Sequence, residues 1–203
     1  MNILMINSTQ SGLDVELQSN NKLYKKEITE NRHSEVILQQ VDDLIRSASI
    51  LPKDMDYVAI CVGPGSFTGI RVAISVAKAF AVVTKCRIVI FNTFELYSYN
   101  VLDADICVVN GFSNFYYVRI GTDMDCIEKE DLQEKIKGVR VVCDKVVAEK
   151  LNVAKYIEPN KEMWLLVKDK IDKGEVTPVE DVDALYLRMS QAEMTRLGKN
   201  GKV

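Results

Sequence analysis

The 203-residue chain has one histidine, four prolines and one tryptophan, and neither sign of charge dominates: Lys plus Arg is 26 and Asp plus Glu is 29. The lone histidine, His33, excludes a two-histidine zinc site such as His-Glu-x-x-His within the chain. A serine or cysteine triad would have to be built on that same residue, whose simplest role is a polar start to a helix. A net charge of −3 speaks against a strongly basic nucleic-acid binder. The five cysteines, Cys61, Cys86, Cys107, Cys126 and Cys143, include no Cys-x-x-Cys pair. Four of them (Cys61, Cys86, Cys107, Cys143) sit in or beside apolar runs, where a thiol behaves as a small buried hydrophobe in a reducing compartment. No stretch reaches the ~18 consecutive apolar residues that span a bilayer, and Met1-Asn2-Ile3-Leu4 lacks the cationic start of a signal peptide. The expectation is a cytoplasmic protein without a membrane segment. With 47% hydrophobic and 27% charged residues, the chain is neither disordered nor a disulfide scaffold.

The apolar residues fall into an α/β pattern. Ile3 to Ile6, the alternating Leu13 to Leu17, and Leu23 to Ile28 predict a small antiparallel sheet, broken by turn residues at Asn7 to Gly12 and Asn20-Asn21. Ile37, Val41, Leu44, Ile45 and Ala48 recur at helical spacing after Ser34, a candidate N-cap, and Pro52 closes that region. Tyr57 to Val62 is apolar on both faces, which suits a strand covered on both sides. Further strands are expected at Arg87 to Phe91, Ile106 to Val109, Phe115 to Ile120 and Val139 to Cys143. Helices are expected at Thr93 to Tyr99, Lys145 to Lys150 and Met163 to Ile171. Asp103 and Asp105 have no further ligands at metal spacing, and Asp123 and Asp125 read as a turn. Arg196, Lys199 and Lys202 read as a solvated end. Two strands end in Asn before a polar turn, at Asn7 and at Asn110, an offset of 110 − 7 = 103 residues. That offset points to a duplicated lobe, residues 1–101 and 102–203.

One segment stands apart: Gly63-Pro64-Gly65-Ser66-Phe67-Thr68-Gly69-Ile70-Arg71. It leads into a helix expected from about Thr68 to Val83. A glycine-rich loop at a helix N-terminus can cradle a phosphate. It can equally be a tight turn that packs a helix closely on a sheet. It is not a Walker A loop, which needs Gly-Lys-Ser/Thr. Its Gly-x-Gly-x-x-x-Gly spacing is one residue longer than a dinucleotide fingerprint, and Pro64 removes one donor. In the helix, only Arg71, Ser75 and Lys78 interrupt the apolar surface. A helix apolar nearly all round is buried on more than one side, by its own sheet and by either the interior or a partner.

The nine-residue loop with the apolar helix after it resembles the signature of the bacterial TsaB family, also called YeaZ. Met1 to Thr9, Arg32-His33-Ser34-Glu35, Asn92-Thr93-Phe94-Glu95-Leu96, Tyr186-Leu187-Arg188 and Ala192-Glu193 are similar to further family segments, so the likeness runs through nearly the whole chain. The resemblance implies an actin-like ATPase (RNase H-like) fold with two lobes of mixed sheets flanked by helices. It implies a non-catalytic subunit in the synthesis of threonylcarbamoyladenosine in tRNA. Its partners would be a TsaD-type metalloenzyme and a TsaE-type ATPase, with a homodimer in isolation and tRNA reached only through the complex. The pairing residues would be Ile70, Arg71, Ala73, Ile74, Ala77, Lys78 and Ala81, so Ile74→Glu is expected to break the complex. No cofactor of its own is implied; ATP or ADP would bind only with the partner.

The chain departs from the family at two turns. Where the family has an acid in the first turn, this sequence has Asn7-Ser8-Thr9; where the second lobe has an Asp-Ala-Arg-like motif, it has Asn110-Gly111-Phe112. A neutral amide supplies no charge to a magnesium ion. The alternative reading is an ATP-dependent enzyme of the sugar- or acetate-kinase type, motivated by the loop. A peptidase would lack both a metal site and a triad.

Overall fold

The computed structural model describes residues 1–10, 12–28, 33–102 and 104–187. Five strands, β1 (Ile3–Asn7), β2 (Leu13–Ser19), β3 (Lys22–Ile28), β4 (Tyr57–Cys61) and β5 (Arg87–Phe91), form a first sheet in the order β3-β2-β1-β4-β5. β1 runs antiparallel to β2 and parallel to β4. A second sheet, from β6 (Ile106–Asn110), β7 (Phe115–Ile120), β8 (Asp123–Glu128) and β9 (Val141–Val142), has the order β8-β7-β6-β9. β6 runs antiparallel to β7 and parallel to β9. The two sheets repeat one plan: an antiparallel three-strand meander, a crossover, and a parallel strand on the far side of the first. The repeat extends beyond β9, because Ile157 bridges Val142 in parallel, as β5 pairs with β4 in the first sheet.

Among the described residues, six α-helices cover the sheets: α1 (His33–Ser47), α2 (Phe67–Thr84), α3 (Thr93–Ser98), α4 (Lys129–Lys135), α5 (Lys145–Leu151) and α6 (Met163–Asp172). Ile37, Val41, Leu44, Ile45 and Ala48 all face inward, packing with Leu4, Ile6, Leu13, Val15 and Leu17. α1 and α2 thus cover one face of the first sheet. The other face, from Ile3, Met5, Ala59 and Phe91, is covered by Met163, Leu166 and Val167 of α6. Covering on both sides explains why every residue of β4 is buried. α4 and α5 close the outer face of the second sheet, and Phe94 and Tyr97 of α3 close its inner face.

The lobes share helices: α3 lies between them, with Phe94 and Tyr97 on the second sheet and Leu96 on the first, and α6 follows the second sheet in sequence but packs on the first. The division at 101/102 separates the sheets, yet the chain from Met163 onward returns to the first. Thr177 bridges Ile88, and Val182 is buried in the first core.

Three local expectations change. Asp123 and Asp125 lie in strand β8, not in a turn. This edge strand leaves Asp123 and Asp125 exposed, so it lacks the apolar alternation that marks a half-buried strand. α4 carries one buried residue, Leu132, which gave no periodic signal. α1 begins at His33, which puts Ser34 inside the helix and not at its cap. α2 is the one described helix long and apolar enough to cross a bilayer, but its Ile70, Ala73 and Ala77 are built into the core of the first lobe. Arg32, Asp103, Arg188, Ala192, Glu193, Arg196, Lys199 and Lys202, and the side chains of His33, Ser34 and Glu35, lie outside the described residues.

Candidate functional site

The end of β1 is a buried turn. Asn7, Ser8 and Thr9 are 6%, 2% and 2% exposed. The Asn7 Oδ1 accepts hydrogen bonds from the Thr9 N–H at 3.1 Å and the Thr9 hydroxyl at 2.8 Å. An amide side chain here closes the turn on itself.

The glycine-rich loop lies directly on this turn. The Ser66 N–H donates to the Thr9 carbonyl at 2.7 Å. A Cβ on Gly65 would stand 2.0 Å from that same carbonyl oxygen, and one on Gly69 would stand 2.1 Å from the carbonyl oxygen of Ser8. Glycine is required at both places by close backbone approach. Ser66 is the N-cap of α2, its Oγ accepting from the Gly69 N–H at 3.2 Å. The Ser66 and Gly69 amides, which a phosphate would need, thus point at the protein's own oxygens. On the other side, the Gly63 and Pro64 carbonyls accept from the N–H and hydroxyl of Thr93, at 2.8 and 2.7 Å. Thr93 is fully buried, with the Cys61 sulfur 3.6 Å from its hydroxyl. Of the two readings of this loop, the contacts are those of a clamp joining β1, α2 and α3.

The sequence marked two parts of this clamp only as family-like segments, without a structural role. Asn92 and Glu95 form a reciprocal capping box on α3; the Asn-x-x-Glu spacing is the signal that identifies it. The second part is the C-terminal stretch. The Leu185 N–H donates to the Val62 carbonyl at 2.8 Å, and the Tyr186 ring lies 5.4 Å from that of Phe67. No local pattern relates residues so far apart in sequence.

The structure divides the seven expected pairing residues. Ile70, Ala73, Ile74, Ala77 and Ala81 are between 0% and 8% exposed and sit in the chain's own core. They are not a surface that a partner can reach, because α2 turns this stripe onto β1 and β4. Arg71 is exposed and Lys78 half-buried. The outward side of α2 carries them with Phe67, Thr68, Ser75, Ala79, Val82 and Val83; Phe67 is 47%, Val82 54% and Val83 79% exposed. Ile74→Glu would therefore disrupt the fold before it tested an interface.

At the second turn, the Asn110 Oδ1 accepts from Lys150 Nζ at 3.3 Å, and its amide nitrogen donates to the Gly111 carbonyl at 3.3 Å. Among the described residues, no glycine-rich loop covers this turn, since β9 passes to α5 through only Cys143 and Asp144, and Phe112 is 71% exposed. Neither strand-end turn presents a carboxylate from its last strand residue. An open crevice of about 630 Å³ lies beyond the ends of β4 and β5. On its wall, Lys170 is paired with Glu95 at 2.9 Å and Glu175 at 2.7 Å. Three buried cysteines are unreactive by environment: burial pushes the Cys61 and Cys107 thiols up to about 11, and burial with the Asp144 charge pushes Cys143 up to about 12.

The fold and the clamped turn define an actin-like (RNase H-like) α/β protein of two duplicated lobes, whose strand-end turns hold amides. Residues 17–156 match the model of the TsaD family, described as tRNA N6-adenosine threonylcarbamoyltransferase. Among curated proteins, the chain is 22% identical over 198 residues to tRNA threonylcarbamoyladenosine biosynthesis protein TsaB of Buchnera aphidicola subsp. Acyrthosiphon pisum, covering 94% of this chain and 85% of that one. It is 29% identical over 83 residues to TsaB of Bacillus subtilis, covering 40% of this chain and 36% of that one. Among solved structures, YeaZ from Pseudomonas aeruginosa shares the fold, with a TM-score of 0.73 at 17% identity over 92% of this chain and 99% of that one. The chain belongs to the TsaB/YeaZ family, within the set of proteins that the TsaD model describes.

Proposed function

We propose that this protein is a non-catalytic subunit of the machinery that makes threonylcarbamoyladenosine in tRNA, and that it pairs with a TsaD-type transferase through the outward side of α2. The observation that carries the reading is the contrast between the two sides of the clamp. Inside, the Asn7 Oδ1 accepts from Thr9, the Ser66 N–H donates to the Thr9 carbonyl, and the Gly69 N–H donates to the Ser66 Oγ. Outside, α2 leaves Phe67, Arg71, Val82 and Val83 uncovered along more than four turns. A hard cation is best held by carboxylate oxygens, and Asn7 and Asn110 supply amides in their place. One histidine in the whole chain leaves no pair for a two-histidine metal site. The names of its relatives support the pathway: the Buchnera relative is a threonylcarbamoyladenosine biosynthesis protein. On this reading the protein is cytoplasmic and meets tRNA through its partner. A TsaE-type ATPase joins the complex, and ATP or ADP binds only there.

Two measurements test this. Light scattering after size exclusion, on the protein mixed with the transferase of the same organism, should give a defined complex. Calorimetry with ATP and magnesium on the protein alone should give no heat at millimolar nucleotide. Tight binding there would favour the kinase-type alternative.

A further inference from the structure

The chain passes from the first sheet to the second through α3, and returns to α6 through the segment after Ile157. Residues 182–187 then reach the second lobe once more. They lie outside every described strand and helix, so only their own contacts hold them in place.

The two ends of this stretch are held very differently. At its start Val182 is 1% exposed in the first core, and Ala184 and Leu185 pack against the same core. The Leu185 N–H donates to the Val62 carbonyl at 2.8 Å. A Cβ on Gly63 would stand 3.1 Å from the Leu185 carbonyl oxygen, so the stretch lies directly on the glycine-rich loop. At its far end stands Leu187, half-buried against the cluster of Phe94, Tyr97, Cys107, Val109 and Val142 on the inner face of the second sheet. Among the described residues, no hydrogen bond joins residues 186 and 187 to the second lobe. Gly63 opens the loop that covers the first strand-end turn, and Val109 precedes Asn110 of the second. The stretch therefore runs from one turn towards the other.

Local opening follows the path that gives up the fewest buried contacts. Lifting the far end frees one half-buried side chain. Lifting the near end exposes part of a core and breaks a backbone hydrogen bond. We infer that residues 182–187 are a latch, hinged on the first lobe, that holds shut the cleft between the two strand-end turns, with Leu187 as its catch. A ligand that bridges the two turns has to displace it. The inference is independent of the pairing role of α2.

The chain carries its own reporter. Cys107 is 3% exposed in the cluster that Leu187 closes, and burial holds its thiol up to about 11. It reacts from an opened state, where the thiolate forms more readily. Cys143 lies on the opposite face of the same sheet, in the cluster covered by α4 and α5. Opening the cleft leaves Cys143 covered, whereas unfolding the lobe exposes both.

The test is iodoacetamide labelling of the full chain at pH 8 in native buffer, followed at each cysteine by mass spectrometry. Leu187→Ala should label Cys107 roughly tenfold faster than the wild type and leave the Cys143 rate unchanged. Leu187→Met, which keeps the volume, should match the wild type at both. Leu187→Val, a smaller deletion, should fall between, and it decides by the same two readings if Leu187→Ala does not fold. Equal acceleration at Cys107 and Cys143 would show that Leu187 only supports the fold, and overturns the inference. An unchanged Cys107 rate in folded Leu187→Ala overturns it as well, because the cleft then stays shut without its catch.

Discussion

Thr9 and Gly65 meet so closely that a single added methyl group on Gly65 would lie 2.0 Å from the Thr9 carbonyl oxygen. The contact is backbone against backbone, so no side-chain rotation can relieve it. Gly65→Ala is expected to destabilise the protein by about 3 kcal/mol, seen as a lower urea midpoint. Gly121→Ala is the control. Gly121 also has a positive φ, +59°, but no atom lies within 4 Å of its added Cβ. Only the left-handed strain remains there, about 1 kcal/mol. Equal losses at the two sites would mean that the loop is not clamped to the turn.

The two sides of α2 should respond oppositely to charge. Ile74 is 8% exposed and Val83 79%. Ile74→Glu buries an unpaired carboxylate and should cost about 3–5 kcal/mol, whereas Val83→Glu should change stability by no more than about 0.5 kcal/mol. Circular dichroism melts of the two variants check this.

Glu16 is a buried acid on β2. Its Oε1 pairs with Lys25 at 3.1 Å, and its Oε2 has no partner among the described residues. Burial raises its pKa first, with Asp14 and Glu162 adding to the rise and Lys25 opposing it. The folded state thus holds the proton more tightly than the unfolded chain. The stability this gives is present at acid pH, below the unfolded carboxylate range, and is lost as pH rises through the folded pKa. Lys25 is solvated enough that losing the pair costs little. Glu16→Gln should therefore raise the melting temperature at neutral pH, with the gain shrinking towards pH 4. A gain that grows on acidification would show that the Lys25 pair outweighs burial.

Alkylation at pH 8 should separate the cysteines. Cys61, Cys107 and Cys143 hold their protons to about 11, 11 and 12. Thiolate is the reacting form, so these three should stay unmodified until the chain unfolds. Cys126, half-buried on edge strand β8, should react first by mass spectrometry. Early labelling of Cys61 would mean that the clamp around Thr93 opens in the native state.

Much of the architecture was legible because it repeats. Asn7 and Asn110 end equivalent strands, and the 103-residue offset between them marks two sheets built to one plan. The core stripe of α1 was equally plain, since Ile37, Val41 and Leu44 stand on one face only. α2 was harder: with apolar residues nearly all round, only Arg71, Ser75 and Lys78 marked its outward side. The side opposite that stripe, with Ile70, Ala73, Ile74, Ala77 and Ala81, turns inward onto the sheet. The return of α6 to the first sheet and the stacking of Tyr186 on Phe67 are long-range pairings with no local signal. β8 was lost because Asp123 and Asp125 are exposed on a sheet edge, where alternation has no core to report.

The most direct measurement is light scattering on the protein and a TsaD-type transferase from the same organism, with Arg71→Glu and Val83→Glu beside the wild type. The account predicts a defined complex for the wild type, loss of it for Arg71→Glu, and unchanged melting temperatures for both variants. Two separate species at every ratio, with or without ATP, would contradict it.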